Sequence, residues 1–234
     1  MRIHYLQHVP FENLANIEGW AVSRGHSLTC TRLFSGESLP DPDSFDWLII
    51  MGGPMNIYEH DKHPWLAEEK RFIGRAIASG RMVLGICLGA QLMADVLGAE
   101  VVKNEDREIG WFTVDLTAEA KASSLFSVLP RSFTAFHWHG DTFAIPPGAV
   151  RAAFSRGCAN QAFVLGRAVG LQFHLESSEE SLEHLLENCA AELGQGHSPF
   201  VQSEEELAAG RQHFAGMRAL MEVFLDNMAL LGKA

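Results

Sequence analysis

The chain has 234 residues, 47% of them hydrophobic and 20% charged, with a formal net charge of −11. That composition describes an ordinary globular protein long enough for a sizeable core, as one large α/β domain or two small ones. The acidic balance argues against nucleic acid and anionic membranes as partners. The opening Met-Arg-Ile-His-Tyr-Leu runs straight into a strand pattern, which predicts no signal peptide, and no apolar run is long enough to span a membrane. Cys30, Cys87, Cys158 and Cys189 stand far apart with no C-x-x-C pair. They suit a reducing cytoplasm and argue against a disulfide framework or a thiolate zinc site.

Arg2 to Leu6 predicts a short apolar strand. Phe11 to Ser23 has helical periodicity at Leu14, Ile17, Trp20 and Ala21, with a stop at Gly25. Ser27 to Leu33 reads as a second strand, and Gly36 to Ser44, with Pro40 and Pro42, as a loop. Asp46 to Met51 is an apolar strand that ends in Gly52-Gly53-Pro54. Trp65 to Ser79 is a helix set between Pro64 and Gly80. Within it, Glu68-Glu69-Lys70-Arg71 reads as a solvated face. Met82 to Ile86 is the next strand, and Gln91 to Gly98 the next helix. Alternating helices and continuously apolar strands predict a parallel sheet covered on both faces. Reactive groups in such sheets lie beyond the carboxyl ends of the strands, so Gly52-Gly53 and Cys87 should share one rim.

Past Gly98 the pattern changes. Ala99–Lys103, Trp111–Leu116, Ser132–Phe136, Val150–Ser155, Gln161–Leu165 and Ala168–Phe173 are short strand-like segments separated by Gly- or Pro-containing loops. They predict a partly antiparallel extension of the same sheet. Gly194 to Phe200 reads as a loop, and Ser203-Glu204-Glu205-Glu206 as a capping box opening one long helix. Its apolar stripe (Phe214, Met217, Leu220, Met221, Phe224, Leu225, Met228) predicts packing against the domain, with a dimer or partner interface as the other reading. The expected fold is therefore α/β. It has three layers: a doubly wound, mostly parallel sheet with helices on both faces, plus a small antiparallel extension and a C-terminal helix. Residues 1–192 should form the main domain, and residues 193–234 a helical extension packed on it.

Two stretches carry chemistry. The first is Gly85-Ile86-Cys87-Leu88-Gly89. A strand, a sharp turn bearing a nucleophile and a helix make the elbow of G-x-S-x-G hydrolases, here with cysteine. Flanking glycines are required because the turn strains the nucleophile's backbone and leaves no room beside it. The helix behind Cys87 offers free N–H groups and a partial positive charge. The second stretch is His174-Leu175-Glu176, at the end of an apolar strand about 90 residues later. Side chains two apart in extended chain point the same way. A cysteine nucleophile needs a base to take its proton and a carboxylate to orient that base, which Cys87, His174 and Glu176 can supply.

Five segments, MGGPMNIYE (51–59), GICLGAQLMADVLGA (85–99), EIGW (108–111), FHWHGDTFAIPPGA (136–149) and VGLQFHLES (169–177), resemble the class I, triad-type glutamine amidotransferases. The likeness is greatest to the amidotransferase domain of GMP synthase and its stand-alone relatives, over roughly residues 1–190. It implies hydrolysis of glutamine, or another γ-glutamyl amide, through a γ-glutamyl thioester with release of ammonia. It implies Cys87 as nucleophile, His174 as base and acid, Glu176 as orienting carboxylate, and backbone N–H groups of Gly53 and Leu88 as the oxyanion hole. Gly52, Gln91, His137, Trp138 and His139 would line the glutamine pocket. The scheme needs no cofactor and no metal. His137-x-His139 followed by Asp141 has a metal-like spacing but no evident third ligand. Arg107 to Trp111 reads as a strand-entry loop near the site or as a solvated turn. The residues after 190 read as a helical tail and no P-loop is present, so the resemblance implies a separate synthetase subunit as partner, with a homodimer through the tail helix as the other partner reading. Alternative functions are a γ-glutamyl peptide hydrolase or transferase without a synthetase, or a non-catalytic glutamine-binding regulator. One departure from the family pattern stands out: Leu175 occupies the place of the usual proline between the histidine and the glutamate.

Overall fold

A computed structural model describes residues 1–194 and 198–232. Among these, nine strands form one sheet: β1 (Arg2–Gln7), β2 (Ser27–Arg32), β3 (Trp47–Ile50), β4 (Met82–Ile86), β5 (Val101–Leu116), β6 (Ser132–Phe143), β7 (Val150–Phe154), β8 (Ala162–Leu165) and β9 (Ala168–Leu171). Their order is β2-β1-β3-β4-β9-β8-β7-β5-β6. The run from β2 to β9 is parallel, and from β9 to β6 each pairing is antiparallel. β9 therefore belongs to both halves.

The helices are α1 (Asn16–Ser23), α2 (Leu66–Ala78), α3 (Leu88–Val96), α4 (Ala118–Ala122), α5 (Glu179–Cys189), α6 (Glu204–Ala209) and α7 (Phe214–Leu231). They cover both faces, and the strands show it residue by residue. Trp47 and Ile49 pack with Ile17 and Trp20 of α1 and with Met221, Phe224 and Met228 of α7. Leu48 and Ile50, pointing the other way, pack with Phe72 and Ile73 of α2 and Leu92 of α3. Each such side chain gains about 1.5–3 kcal/mol from burial, so a strand buried on both faces needs no polar residue. α7 is tied to α1 by Trp20 Nε1, which donates to Asp226 Oδ1 at 2.8 Å.

Several elements differ from the sequence reading. The helix expected from Phe11 begins only at Asn16, because residues 11–15 form a loop that closes on the rim, with Ala15 at φ 44°. The segments 99–103 and 111–116 join into the single strand β5, with a register irregularity against β6 between Lys103 and Glu108. β6 likewise runs on to Phe143 and carries residues 137–141 inside the sheet. The helix after Cys87 starts at once, at Leu88. Ser203 does cap α6 with Glu206 closing the box, but the tail is not one helix. It breaks into a 3₁₀ turn at Gly210–His213. There the backbone lies so close to Trp111 that a Cβ on Gly210 would meet the indole at 2.0 Å. Of the loop expected over 194–200, residues 195–197 lie outside the described residues.

Candidate active site

The site is built at the carboxyl ends of β3, β4 and β9. β4 ends at Ile86, and the next residue, Cys87, takes φ 51° and ψ −108°. A non-glycine residue held there costs about 1–3 kcal/mol, and the surroundings must enforce it. They do so through close packing and one hydrogen bond. A Cβ on Gly85 would sit 2.5 Å from the Gly89 carbonyl oxygen, and one on Gly89 would sit 2.2 Å from that of Ile50. The Cys87 N–H donates to Leu171 O at 2.8 Å, which ties the turn to β9. Cys87 is 7% exposed, and its sulfur lies 3.5 Å from Gln172 Nε2 and 3.7 Å from Trp138 O.

His174 and Glu176 follow β9. His174 Nδ1 is 2.6 Å from Glu176 Oε1, and the imidazole lines the same cavity as Cys87. Burial alone would lower the His174 imidazole, but the Glu176 carboxylate and the Cys87 sulfur outweigh it and raise it well above its usual range. Leu175 does not disturb the pair. It is buried in the core, while His174 exchanges two backbone hydrogen bonds with Phe136, at 2.8 and 3.3 Å. The Asn16 N–H holds Glu176 O at 3.0 Å. These long-range bonds do the work that a proline's fixed φ would otherwise do.

A cavity of about 170 Å³ opens on this group. Cys87, His174, Gly53, Gln91, Trp138 and His139 line it, together with Glu12, Asn56, Arg107, Asp141, Cys189 and Glu192. Gln91 is held by Gln172 Oε1 at 3.1 Å. Leu88, buried, heads α3 directly behind Cys87. Two expected pocket residues, Gly52 and His137, are not among those that line the cavity. Gly52 turns its carbonyl away, toward His8 Nδ1 at 2.9 Å. His137 is fully buried behind the wall, beside Glu108 at 3.6 Å.

Glu108 itself corrects the reading of 107–111 as an entry loop or a solvated turn. It sits mid-strand and fully buried. Its carboxylate accepts from Ser155 Oγ at 2.6 Å and Gln161 Nε2 at 2.5 Å, and lies 3.0 Å from His139 Nε2. Burial works against its charge, yet His137 and His139 hold the carboxyl well below its usual range. Among the described residues, Glu108, His137 and His139 are the one group of acidic, histidine and cysteine side chains close enough to share a cation. The third ligand missing from the sequence reading is therefore Glu108. Its oxygens are already taken up by hydrogen-bond donors, and the group anchors the strand that bears Trp138 and His139.

Glu12 was also missed. It stands on the loop after β1, lines the pocket, and is pushed up to about 7 by burial, with His174 and His8 opposing the rise. Nothing local in Pro10-Phe11-Glu12 signals this. Gln172 could have been found, since it shares a strand face with His174 two residues on.

The family Glutamine amidotransferase class-I matches residues 12–193. A glutamine amidotransferase-like protein of Salmonella typhimurium, YfeJ, is 33% identical over 98% of both chains. GMP synthase of Thermomicrobium roseum is 35% identical over 58% of this chain, which is 24% of the synthase's own length. The crystal structure of a glutamine amidotransferase from Thermotoga maritima superposes with a TM-score of 0.87 at 31% identity, covering 97% of each chain. One from Methylobacillus flagellatus gives 0.91 at 27% identity, covering 98% of this chain and 94% of the other. With the strained cysteine, the histidine–glutamate pair and the family match in agreement, the chain belongs to the class I glutamine amidotransferases.

Proposed function

We propose that the protein hydrolyses the side-chain amide of glutamine, or of another γ-glutamyl amide, through a thioester on Cys87. One observation carries this reading: a cysteine held at φ 51° shares a cavity with a buried histidine whose Nδ1 lies 2.6 Å from a glutamate. His174 takes the thiol proton, and the Cys87 sulfur attacks the amide carbon. Negative charge develops on the former carbonyl oxygen, where the N–H groups of Gly53 and Leu88 receive it. One such donor is typically worth about 3 kcal/mol. The C–N bond breaks as His174 passes its proton to the leaving nitrogen, and ammonia departs. Water, deprotonated by the same imidazole, then opens the thioester and frees glutamate and the thiol. Glu176 keeps the ring oriented and stabilises its charged form throughout. Gln91, Trp138, His139 and Asp141 line the pocket that holds the glutamyl group.

A separate ammonia-consuming synthetase chain is the partner this chemistry calls for. A second reading, a γ-glutamyl amide with a larger amine as leaving group, is favoured by Glu12, a carboxylate on the pocket wall next to His174 that ammonia alone would not need. Purified protein assayed on glutamine and a panel of γ-glutamyl amines, with glutamate and free amine as readouts, tests both. Turnover on glutamine that rises with a synthetase supports the first, and faster turnover on an amine-bearing substrate supports the second. Silence on the whole panel, with no labelling of Cys87 by a chloroketone glutamine analogue, would exclude the thioester chemistry.

A further inference from the structure

A further buried histidine–glutamate pair lies on the far side of the Gly52–Gly53 peptide. His8 Nδ1 is 2.9 Å from Gly52 O, and His8 Nε2 is 2.8 Å from Glu69 Oε1. Both side chains are fully buried, under Trp65. A carbonyl oxygen can only accept, so Nδ1 carries a proton and donates it. Glu69 therefore corrects the reading of Glu68-Glu69-Lys70-Arg71 as a solvated face: its carboxyl group points inward from α2.

The geometry has a consequence for the pocket. In a trans peptide the carbonyl and the following N–H point in opposite directions, and the described residues contain no cis bond. Fixing Gly52 O on His8 therefore aims Gly53 N–H the other way, on the side where Gly53 lines the Cys87 cavity. Two consecutive glycines would otherwise let this peptide rotate, because glycine accepts backbone conformations that other residues resist. A larger residue would crowd its neighbours: a Cβ on Gly52 would meet Glu12 Oε2 at 2.4 Å, and one on Gly53 would meet the Met55 sulfur at 2.6 Å.

We propose that His8 and Glu69 are positioning residues that lock the Gly52–Gly53 peptide with its N–H toward the substrate, so that one oxyanion donor is set before the substrate arrives. The inference rests on the thioester reading above. Glu69 orients the ring through Nε2 and strengthens the Nδ1–H donor, since hydrogen bonds from charged donors are roughly twice as strong as neutral ones. Neither residue touches the substrate, so the lock acts on the transition state and leaves ground-state binding alone.

The test is steady-state hydrolysis of the best γ-glutamyl amide by three variants, each checked by thermal melting. His8→Leu removes the donor and should lower kcat by about 10²-fold, the scale of losing an oxyanion contact, with KM within about twofold of the parent. His8→Gln keeps an N–H donor near Gly52 O and should recover most of that loss. Glu69→Gln keeps shape and loses charge, and should lower kcat by about 5- to 10-fold with KM unchanged. If His8→Leu does not fold, the Glu69→Gln split between kcat and KM decides alone. Equal losses in His8→Leu and His8→Gln, or losses that fall on KM, would overturn the lock and leave the thioester reading standing. Absence of any turnover in the unmodified protein would remove both.

Discussion

Two regions of the molecule set a histidine against a buried glutamate and put the pair to different use. After β9, His174 Nδ1 meets Glu176 Oε1 at 2.6 Å. Between β5 and β6, His139 Nε2 meets Glu108 Oε2 at 3.0 Å. At Glu108 both carboxylate oxygens are engaged: Ser155 and Gln161 donate to them, and the second nitrogen of His139 lies 3.1 Å from Asp141 O. At Glu176 one oxygen has no hydrogen-bond partner among the described residues, and the second nitrogen of His174 is left for the Cys87 sulfur. The residue types are the same. A carboxylate with both oxygens bonded rigidifies a wall, whereas a pair with one free nitrogen beside a thiol and a cavity can move a proton.

The comparison can be broken at its most sensitive point first. Cys87→Ala should leave the fold intact and reduce ammonia release from glutamine by about 10⁴-fold or more. A variant that kept the parental rate would remove Cys87 from the chemistry. Glu176→Gln should come next, with kcat lower by roughly 10²–10⁴-fold and little change in KM, because it disturbs only the orientation and charge of His174. A loss confined to KM would place Glu176 in substrate binding instead.

The wall network should respond in stability. Glu108→Ala strands the buried donors around it and should cost about 3–5 kcal/mol in chemical denaturation. Dialysis against EDTA should leave both the denaturation midpoint and the turnover of the parent unchanged, since both Glu108 oxygens already accept hydrogen bonds. A chelator-dependent drop would show that a cation does part of that work.

The smallest effect concerns Glu12, the carboxyl next to His174. Its ordinary pKa of 4.5 is raised to about 7 by burial, so the folded protein holds that proton more tightly than the unfolded chain. Its contribution to stability is complete below about 4.5 and is lost as the pH climbs through about 7. Glu12→Gln cannot ionise and escapes the loss. Its stability advantage over the parent should grow across that window and then level off, at about 1–3 kcal/mol. A pH-independent difference in denaturation midpoint would show that Glu12 is hydrated and does not feel the site.

Local pattern made much of this legible. Cys87 stood out because a strained turn needs Gly85 and Gly89 next to it in the chain, and His174 and Glu176 because two residues of extended strand put them on one side. The continuous apolar runs of β3 and β4 betrayed strands buried on both faces. Glu69 was misread because the charged run around it has the pattern of a solvent-facing helix. Residues 107–111 read as an entry loop or a solvated turn, whereas Glu108 lies buried in a strand in which Gly110 takes φ 131° under Gln202.

The amino-acid order alone marked Cys87, His174 and Glu176 as candidates, because each signal is confined to a few neighbouring residues. Folding decided which buried charges are satisfied and which stay free to react. His8 reaches Glu69 across 61 positions, and Gln161 reaches Glu108 across 53. Such pairings exist only once separate strands and helices have been brought together. A carboxylate taken out of water must find its donors wherever the packed chain supplies them.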